Sequence, residues 1–413
     1  MAQIPGRCKG KQTALKNNFF DKKRRPPYTS HFPATFNPKE TPMTHRERFC
    51  KAVSRQPVDR AVFDLCGSPQ TYVDSAEVKT RLAEILRLEG PCKGAYCVDE
   101  RILEAFDIDT RHVGGMPPMP PTRHRREENG VRYNDWGIGF QGVESHWEMC
   151  HNPLKGADLD TIMAYEFPDP GRIDMSAVQA WADEAAHLRR TTDHALVAEH
   201  PVFGVMEIGC WLFGYDDYLY RLAAEPELMH AFSQRFYEHQ KKVIEKYYGA
   251  LGPHIDCTTS GDDFGMQAGP FMSTGMFDEF VKPYMKDRVA LTKKFTDAFY
   301  QHHTCGSVHN FIPSLIDCGV DVLNPIQPGV YMMEHERLKA DFGDKMSFWG
   351  GIDTQHLLTR GTVAEIKAEV GRILSVMDRG GGYILSPAHT IQRDVPAENL
   401  IAVYEGAKEY YSK

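Results

Sequence analysis

A histidine and a cysteine lie two residues apart in the stretch from Ala298 to Pro325, which reads AFYQHHTCGSVHNFIPSLIDCGVDVLNP. Residues i and i+2 of an extended segment project to the same side, so His303 and Cys305 can face one point. An imidazole and a thiolate suit Zn²⁺, and a catalytic zinc takes about three protein ligands with one position left open. The spacing therefore indicates two ligands of a zinc site and requires a third from elsewhere.

The third ligand must come from the end of another strand. His389, which ends the segment GGYILSPAH, is the first choice, and Asp263 and Glu207 are the alternatives. An H-x-C pair also arises by chance in a chain with 18 histidines and 10 cysteines, so the position after an apolar strand is what favours a metal. Of the other candidates in the stretch, His302 and His309 are expected to face solvent or the outer helices, and Cys318 is expected to lie in the core.

Polar residues follow most of the other predicted strands. They are, in chain order, Glu207, Asp262, Asp263, Gln267, Asn324, Gln327 and Asp353. We predict catalytic roles for the first three and substrate-binding roles for the last four. The alternative is structural, because the two aspartates can cap the following helix and Asn324 and Gln327 can form turns.

Short apolar runs alternate with longer helical patterns along the chain. Eight of these runs are predicted strands: 60–67, 107–113, 194–204, 254–265, 297–306, 320–328, 346–353 and 381–389. Strands that alternate with helices indicate a parallel sheet, and eight repeats indicate an α/β fold of the (β/α)₈ TIM-barrel type. A doubly wound open sheet is the rival, but no glycine-rich dinucleotide loop follows the first strand. In a barrel, the polar strand ends would converge on one face.

The composition limits the partners and the location of the protein. A net charge of −8 and a pI near 6.1 argue against binding of nucleic acid. No apolar run approaches the roughly 18 residues that a membrane span needs. The cysteines are scattered, as is typical of reduced thiols in a cytoplasmic protein.

Three segments differ in character. Residues 1–42 are basic and lack apolar periodicity, and we predict a disordered N-terminal tail. Residues 43–413 are predicted to form a single barrel domain, which starts where Thr44 and Glu47 can form a capping box. Residues of about 114–172, rich in Pro, Trp and turn formers, are predicted to be a hairpin-bearing insertion over one mouth of the barrel.

Several segments resemble the uroporphyrinogen decarboxylase superfamily, and more closely its corrinoid-dependent methyltransferase branch. The resemblance is carried by MTHRERFCKAVSRQPVDR, NPLKGADLDTIMAYEFPDPG, SGDDFGMQAGPFMSTGMFDEFVKPYMK, HHTCGSVHNFIPSLIDCGVDVLNPIQ, FWGGIDTQHLL and GGYILSPAHTIQRDVPAENLIAVYEGAKEY. The fold that this resemblance implies is the (β/α)₈ barrel, in agreement with the strand count.

The resemblance separates two activities. True uroporphyrinogen decarboxylases carry an arginine-rich segment of the RQAGRY type after the first strand, where this chain reads FDLCGSPQTY without arginine. The methyltransferase branch, which includes methylcobamide:coenzyme M methyltransferases, binds zinc through H-x-C and a cysteine in a late PGC-type loop. His303 and Cys305 match the first pair, and His389 in SPAH stands in the place of that cysteine.

The predicted function is therefore that of a zinc-dependent methyltransferase. It would move a methyl group between a small methylated substrate or thiol and a corrinoid (cobalamin). No D-x-H-x-x-G signature is present, so the corrinoid would be supplied by a partner protein. The alternatives are a cofactor-free decarboxylase acting on a carboxylated tetrapyrrole or heterocycle, and a corrinoid- or tetrapyrrole-binding protein without activity.

Overall fold

The computed structural model describes residues 43–90, 97–143 and 146–413, so the predicted tail lies outside the described residues. The strands are β1 Val62–Phe63, β2 Thr110–Val113, β3 Arg126–Glu128, β4 Val131–Tyr133, β5 Gly139–Val143, β6 His146–His151, β7 Ala195–Glu199, β8 Cys257–Gly261, β9 Phe299–His303, β10 Val322–Asn324, β11 Ser347–Ile352 and β12 Tyr383–Pro387. The α-helices are α1 His45–Val53, α2 Ala76–Ile85, α3 Glu100–Phe106, α4 Leu159–Ala164, α5 Met175–Thr191, α6 Val205–Phe213, α7 Tyr215–Ala224, α8 Pro226–Leu251, α9 Thr274–Phe280, α10 Lys282–Thr292, α11 Ile312–Asp317, α12 His335–Phe342, α13 Leu357–Arg360, α14 Val363–Met377 and α15 Ala397–Tyr411.

Eight of these strands form one parallel sheet in the order β1-β12-β11-β10-β9-β8-β7-β2. Each strand lies beside its neighbour in the chain, as in a (β/α)₈ barrel and unlike a doubly wound sheet. The seam between β1 and β2 is bridged where the Asp109 backbone N–H donates to the Phe63 carbonyl oxygen at 2.9 Å. The predicted α/β barrel is thus confirmed. Each of the eight segments that were predicted as strands contains one strand of this sheet.

The first helix closes the end of the barrel at which the strands begin. Thr44 and Glu47 form the predicted capping box, which starts α1 at His45. Phe49 of α1 is fully buried and meets Trp349 edge to face, with ring centroids 6.1 Å apart. Apolar residues of several strands pack with it inside the barrel, among them Val62 and Cys257. Because this end is filled by side chains, the open end of the barrel is the one where the strands finish.

A second sheet, with the antiparallel order β3-β4-β5-β6, lies in the segment between β2 and β7. Trp136 of this segment packs edge to face against Phe236 and His239 of α8, with ring centroids 5.9 and 5.3 Å apart. With the loop after β7 it lines a cavity of about 580 Å³. Among the described residues, no helix is long and apolar enough to cross a membrane.

Candidate metal centre

The three predicted metal ligands meet at the C-terminal ends of β9 and β12. His303 is the last residue of β9, and its Nε2 lies 3.4 Å from the Sγ of Cys305. His389 follows β12 by two residues, and its ring centroid lies 5.5 Å from that of His303, at an angle of 70°. Each of the three offers a ligand atom within 4.8 Å of the other two. The fold therefore brings together side chains that are up to 86 residues apart in the sequence.

Asn324 fixes the orientation of His303. The two residues are partners in the β9–β10 ladder, and the Asn324 Oδ1 lies 2.6 Å from the His303 Nδ1. Since the Asn324 Nδ2 donates to the carbonyl oxygen of Trp349 at 3.1 Å, its Oδ1 is the acceptor and the imidazole Nδ1 is the donor. The Nε2 lone pair of His303 is then directed toward Cys305. Asn324 is fully buried and positions His303, and its predicted substrate-binding role stays a prediction.

The loop that carries Cys305 is held by side chains from two neighbouring strand ends. The backbone N–H of Cys305 donates to the Asp263 Oδ1 at 2.7 Å, and that of Gly306 donates to the Gln327 Oε1 at 2.8 Å. Gly306 has φ of 80°, and a Cβ there would stand 2.3 Å from the backbone of Gly265. A side chain at position 306 is therefore excluded both by the backbone conformation and by this close approach.

Carboxylates surround the thiol. Burial raises the pKa of Cys305 to about 12, and the charges of Asp263 and Glu207 add to the shift. Burial likewise raises the pKa of Glu207 to about 9, with contributions from Asp262 and Asp263. Burial lowers the pKa of His389, and the electrostatic effect of the nearby His303 lowers it further. At neutral pH the free centre would hold a protonated thiol, a protonated Glu207 and a neutral His389.

Two of the three candidate ligands, Cys305 and His389, line a small cavity of about 90 Å³. Its lining residues are Cys305, Pro325, Gln327, Pro328, Asp353, Thr354, Gln355, Ala388 and His389. A neighbouring cavity of about 330 Å³ shares Thr354, Gln355 and His389 with it. Neither lining includes an arginine or a lysine. Thr354 and Gln355 were not predicted as site residues. The only signal for them in the sequence is that they follow a predicted strand.

Two of the predicted site residues lie at the start of α6. The Asp262 carboxylate is buried and accepts the backbone N–H of Glu207 at 2.6 Å, so it caps α6. The expected alternative, a cap on the following helix, is wrong because the next helix, α9, is capped by Ser273. Gln267 is exposed and lies outside both cavity linings, and its substrate-binding role stays a prediction. His302 is fully buried and stacks on Phe264, so it points away from the centre.

The donor set fits zinc. Two imidazoles and a thiol are ligands that a catalytic zinc uses, and three protein ligands leave a fourth position for water or substrate. The hydrogen bond from His303 to Asn324 supplies the outer-shell partner that a ligating histidine usually has. The Asp263 Oδ1 lies 3.9 Å from the His303 Nε2. Of the three candidates for the third ligand, only His389 joins His303 and Cys305 in one compact group.

Fold and site together define a (β/α)₈-barrel protein with a candidate metal centre at the C-terminal face. Residues 158–410 match the model of the uroporphyrinogen decarboxylase (URO-D) family, and the chain belongs to that family. Among curated proteins, none matches this sequence.

One solved structure supports the fold. A methyltransferase from Methanosarcina mazei aligns with 89% of this chain and 99% of its own, with a TM-score of 0.59 and 17% identity. Native xylanase 10B from Thermotoga maritima covers 59% of this chain and 82% of its own, with a TM-score of 0.37 and 8% identity. The first likeness shows a shared fold, and the second, with a TM-score below 0.5, carries no argument.

Proposed function

We propose that this chain is a zinc-dependent methyltransferase, which moves a methyl group between a small methylated substrate or thiol and a corrinoid held by a separate protein. The observation that carries the proposal is the grouping of His303, Cys305 and His389 at the open end of the barrel. Membership of the URO-D family and the shared fold with a methyltransferase are consistent with it. Bound zinc would lower the pKa of a ligating thiol or hydroxyl group and so make it a better methyl acceptor.

The residues of the centre have distinct tasks in this proposal. His303, Cys305 and His389 hold the metal, and Asn324 keeps the His303 Nε2 directed at it. Asp263 and Gln327 hold the loop that carries Cys305 through its backbone N–H groups. Glu207 keeps a proton at neutral pH, so it can give that proton to a leaving heteroatom. Gln327 and Asp353 line the cavity, and in this proposal they contact the substrate.

Metal content and methyl transfer together test the proposal. We expect the purified protein to hold zinc and to transfer a methyl group between free methylcobalamin, used in place of the corrinoid protein, and a thiol. Cys305→Ser should lose this zinc and the transfer, because a serine hydroxyl is a poor zinc ligand at neutral pH. Cys318→Ser is the matched control, since Cys318 is buried outside the centre with its Sγ 3.6 Å from the Lys282 carbonyl oxygen. If the Cys305→Ser variant transferred the methyl group as fast as the wild type, this centre would be ruled out as the site of methyl transfer.

The competing activity is decarboxylation without a metal. A substrate with many carboxylates needs cationic partners, and the two cavity linings at the centre contain neither arginine nor lysine. We therefore favour methyl transfer over decarboxylation. Release of CO₂ from uroporphyrinogen by protein treated with a chelator, without methyl transfer by the zinc-loaded protein, would reverse that preference.

A further inference from the structure

A second group of possible metal ligands lies at the opposite end of the barrel. His45 is the first residue of α1, and Asp193 and His194 directly precede β7. Each offers a ligand atom within 4.8 Å of the other two. The backbone joins the same segments, because the Arg46 N–H donates to the Asp193 carbonyl oxygen at 2.6 Å. The candidate ligand atoms of the group at the C-terminal face lie within the same distance of one another.

The outer-shell partner of His45 is a buried carboxylate. The Asp109 Oδ1 accepts from the His45 Nδ1 at 2.7 Å, so the Nε2 keeps the lone pair that a metal needs. Asp109 is fully buried and is held ionised by Arg48 at 2.6 Å and Arg60 at 2.7 Å. These contacts keep the pKa of Asp109 below its usual value, despite the opposing effect of burial. A carboxylate behind a ligating histidine is a common arrangement in zinc sites.

His194 is ready to accept a metal. Its Nδ1 is buried and has no hydrogen-bond partner within the described part of the chain. Its ring stacks on that of His45, with centroids 4.5 Å apart and 21° between the planes, so the two imidazoles are direct neighbours. The Asp193 carboxylate is exposed, and its hydrogen bond from the His45 backbone N–H is long, at 3.5 Å. A cation would therefore engage an unpartnered nitrogen and a weakly held carboxylate.

We infer that His45, Asp193 and His194 form a second divalent-cation site of the zinc class at the N-terminal face of the barrel. Its role is structural, because it joins the start of α1 to the start of β7 and so fixes the helix that fills this end with Phe49. The Asp107 Oδ1 lies 3.8 Å from the His45 Nε2, within reach of a fourth position. The inference does not depend on the proposed methyl transfer.

The test removes the other centre first. In the full chain with Cys305→Ser and His389→Ala, we expect binding of about one zinc ion per chain and a melting temperature that rises when zinc is added. Adding Asp193→Asn, or separately His194→Asn, should abolish both effects. Adding His309→Gln is the matched control, because His309 also pairs with a carboxylate, Asp341 at 2.8 Å, but belongs to no such group.

Cobalt substitution separates the two sites by their chemistry. Cobalt in the wild-type protein should give a thiolate charge-transfer band from Cys305, whereas cobalt at the second site should give none. The inference is overturned if the protein with Cys305→Ser and His389→Ala binds no zinc, or if Asp193→Asn leaves its binding unchanged. If only the proposed function is wrong, the second site still binds zinc in every variant that retains His45, Asp193 and His194.

Discussion

The two histidine groups lie at opposite ends of one barrel. They differ in the side chain that accepts a hydrogen bond from the histidine Nδ1. At the C-terminal face, His303 donates to the neutral amide of Asn324, and the candidate ligand set includes the thiol of Cys305. At the N-terminal face, His45 is backed by the carboxylate of Asp109, and the set has no thiol. The first group opens on cavities of about 90 and 330 Å³, while the second is surrounded by salt bridges.

The difference follows from the chain topology. The loops after the strands of a parallel barrel are free to vary, so ligands there can border a space for substrate. The loops before the strands join the outer helices to the sheet, and ionic groups there connect elements to each other. Asp109, for example, binds α1 through Arg48 and the start of β1 through Arg60 and the Phe63 backbone N–H. The same donor types can thus serve chemistry at one face and stability at the other.

The largest expected effect concerns this stabilising role. Asp109→Asn should lower the free energy of unfolding of the metal-free protein by about 3–5 kcal/mol, because it removes the fully buried carboxylate that Arg48 and Arg60 share and leaves each with one more exposed partner, Asp59 or Asp107. Urea unfolding at pH 7 measures this. The folded-state pKa of Asp109 is depressed, so its contribution is present above about pH 4 and is lost as the pH falls further.

Asp107→Asn is the matched control for that experiment. Asp107 also pairs with Arg60, at 2.7 Å, but its side chain is 45% exposed, so the loss should stay within about 1 kcal/mol. Equal losses for the two variants would contradict the stabilising role assigned to Asp109.

The second prediction concerns the hydrogen bond that positions His303 at the C-terminal face. Asn324→Leu removes the acceptor for the His303 Nδ1, and we expect the zinc affinity of this centre to fall about 10–100-fold. Asn324→Asp keeps an acceptor there and should retain the affinity. Competition with a chromophoric chelator measures both variants. If Asn324→Leu binds zinc as tightly as the wild type, Asn324 does not position His303.

A smaller effect should come from the protonated carboxyl of the C-terminal face. The folded-state pKa of Glu207 is raised to about 9, so the folded state holds a proton that the unfolded state releases above about pH 4.5. Stability therefore falls as the pH rises from about 4.5 toward 9. Glu207→Gln removes this loss and should stabilise the metal-free protein at pH 8, by on the order of 1–2 kcal/mol, but not at pH 5.

Glu104→Gln, on the exposed side of α3, is the control for this pH dependence and should change stability little at either pH. Thermal melts at pH 5 and pH 8 make the comparison. A stabilisation by Glu207→Gln of equal size at both pH values would show that Glu207 carries no proton in the folded protein.

The sequence was sufficient for the fold and for the grouping of His303, Cys305 and His389 at the C-terminal face, because both follow from strand order. Once eight parallel strands alternate with helices, residues at the ends of the strands, such as His303 and His389, must lie at one face of the barrel. The task of Asn324 could not be predicted, since it depends on the ladder register that pairs it with His303. The N-terminal group was missed for a similar reason: His45 and His194 lie 149 residues apart and share no motif.

The smallest change in metal affinity is expected from His389→Cys, which sharpens the contrast in donor chemistry between the two faces. Imidazole and thiolate both ligate zinc, so the affinity should stay within about tenfold. A thiol ligand loses its proton on binding while a neutral imidazole does not, so proton release at pH 7 should rise from about one to about two per zinc bound at this centre, measured in a background that carries His194→Asn. Calorimetry in buffers of different ionisation enthalpy measures this number. Thr390→Cys, one residue further on, should leave it near one, and the same result for His389→Cys would remove residue 389 from the metal centre.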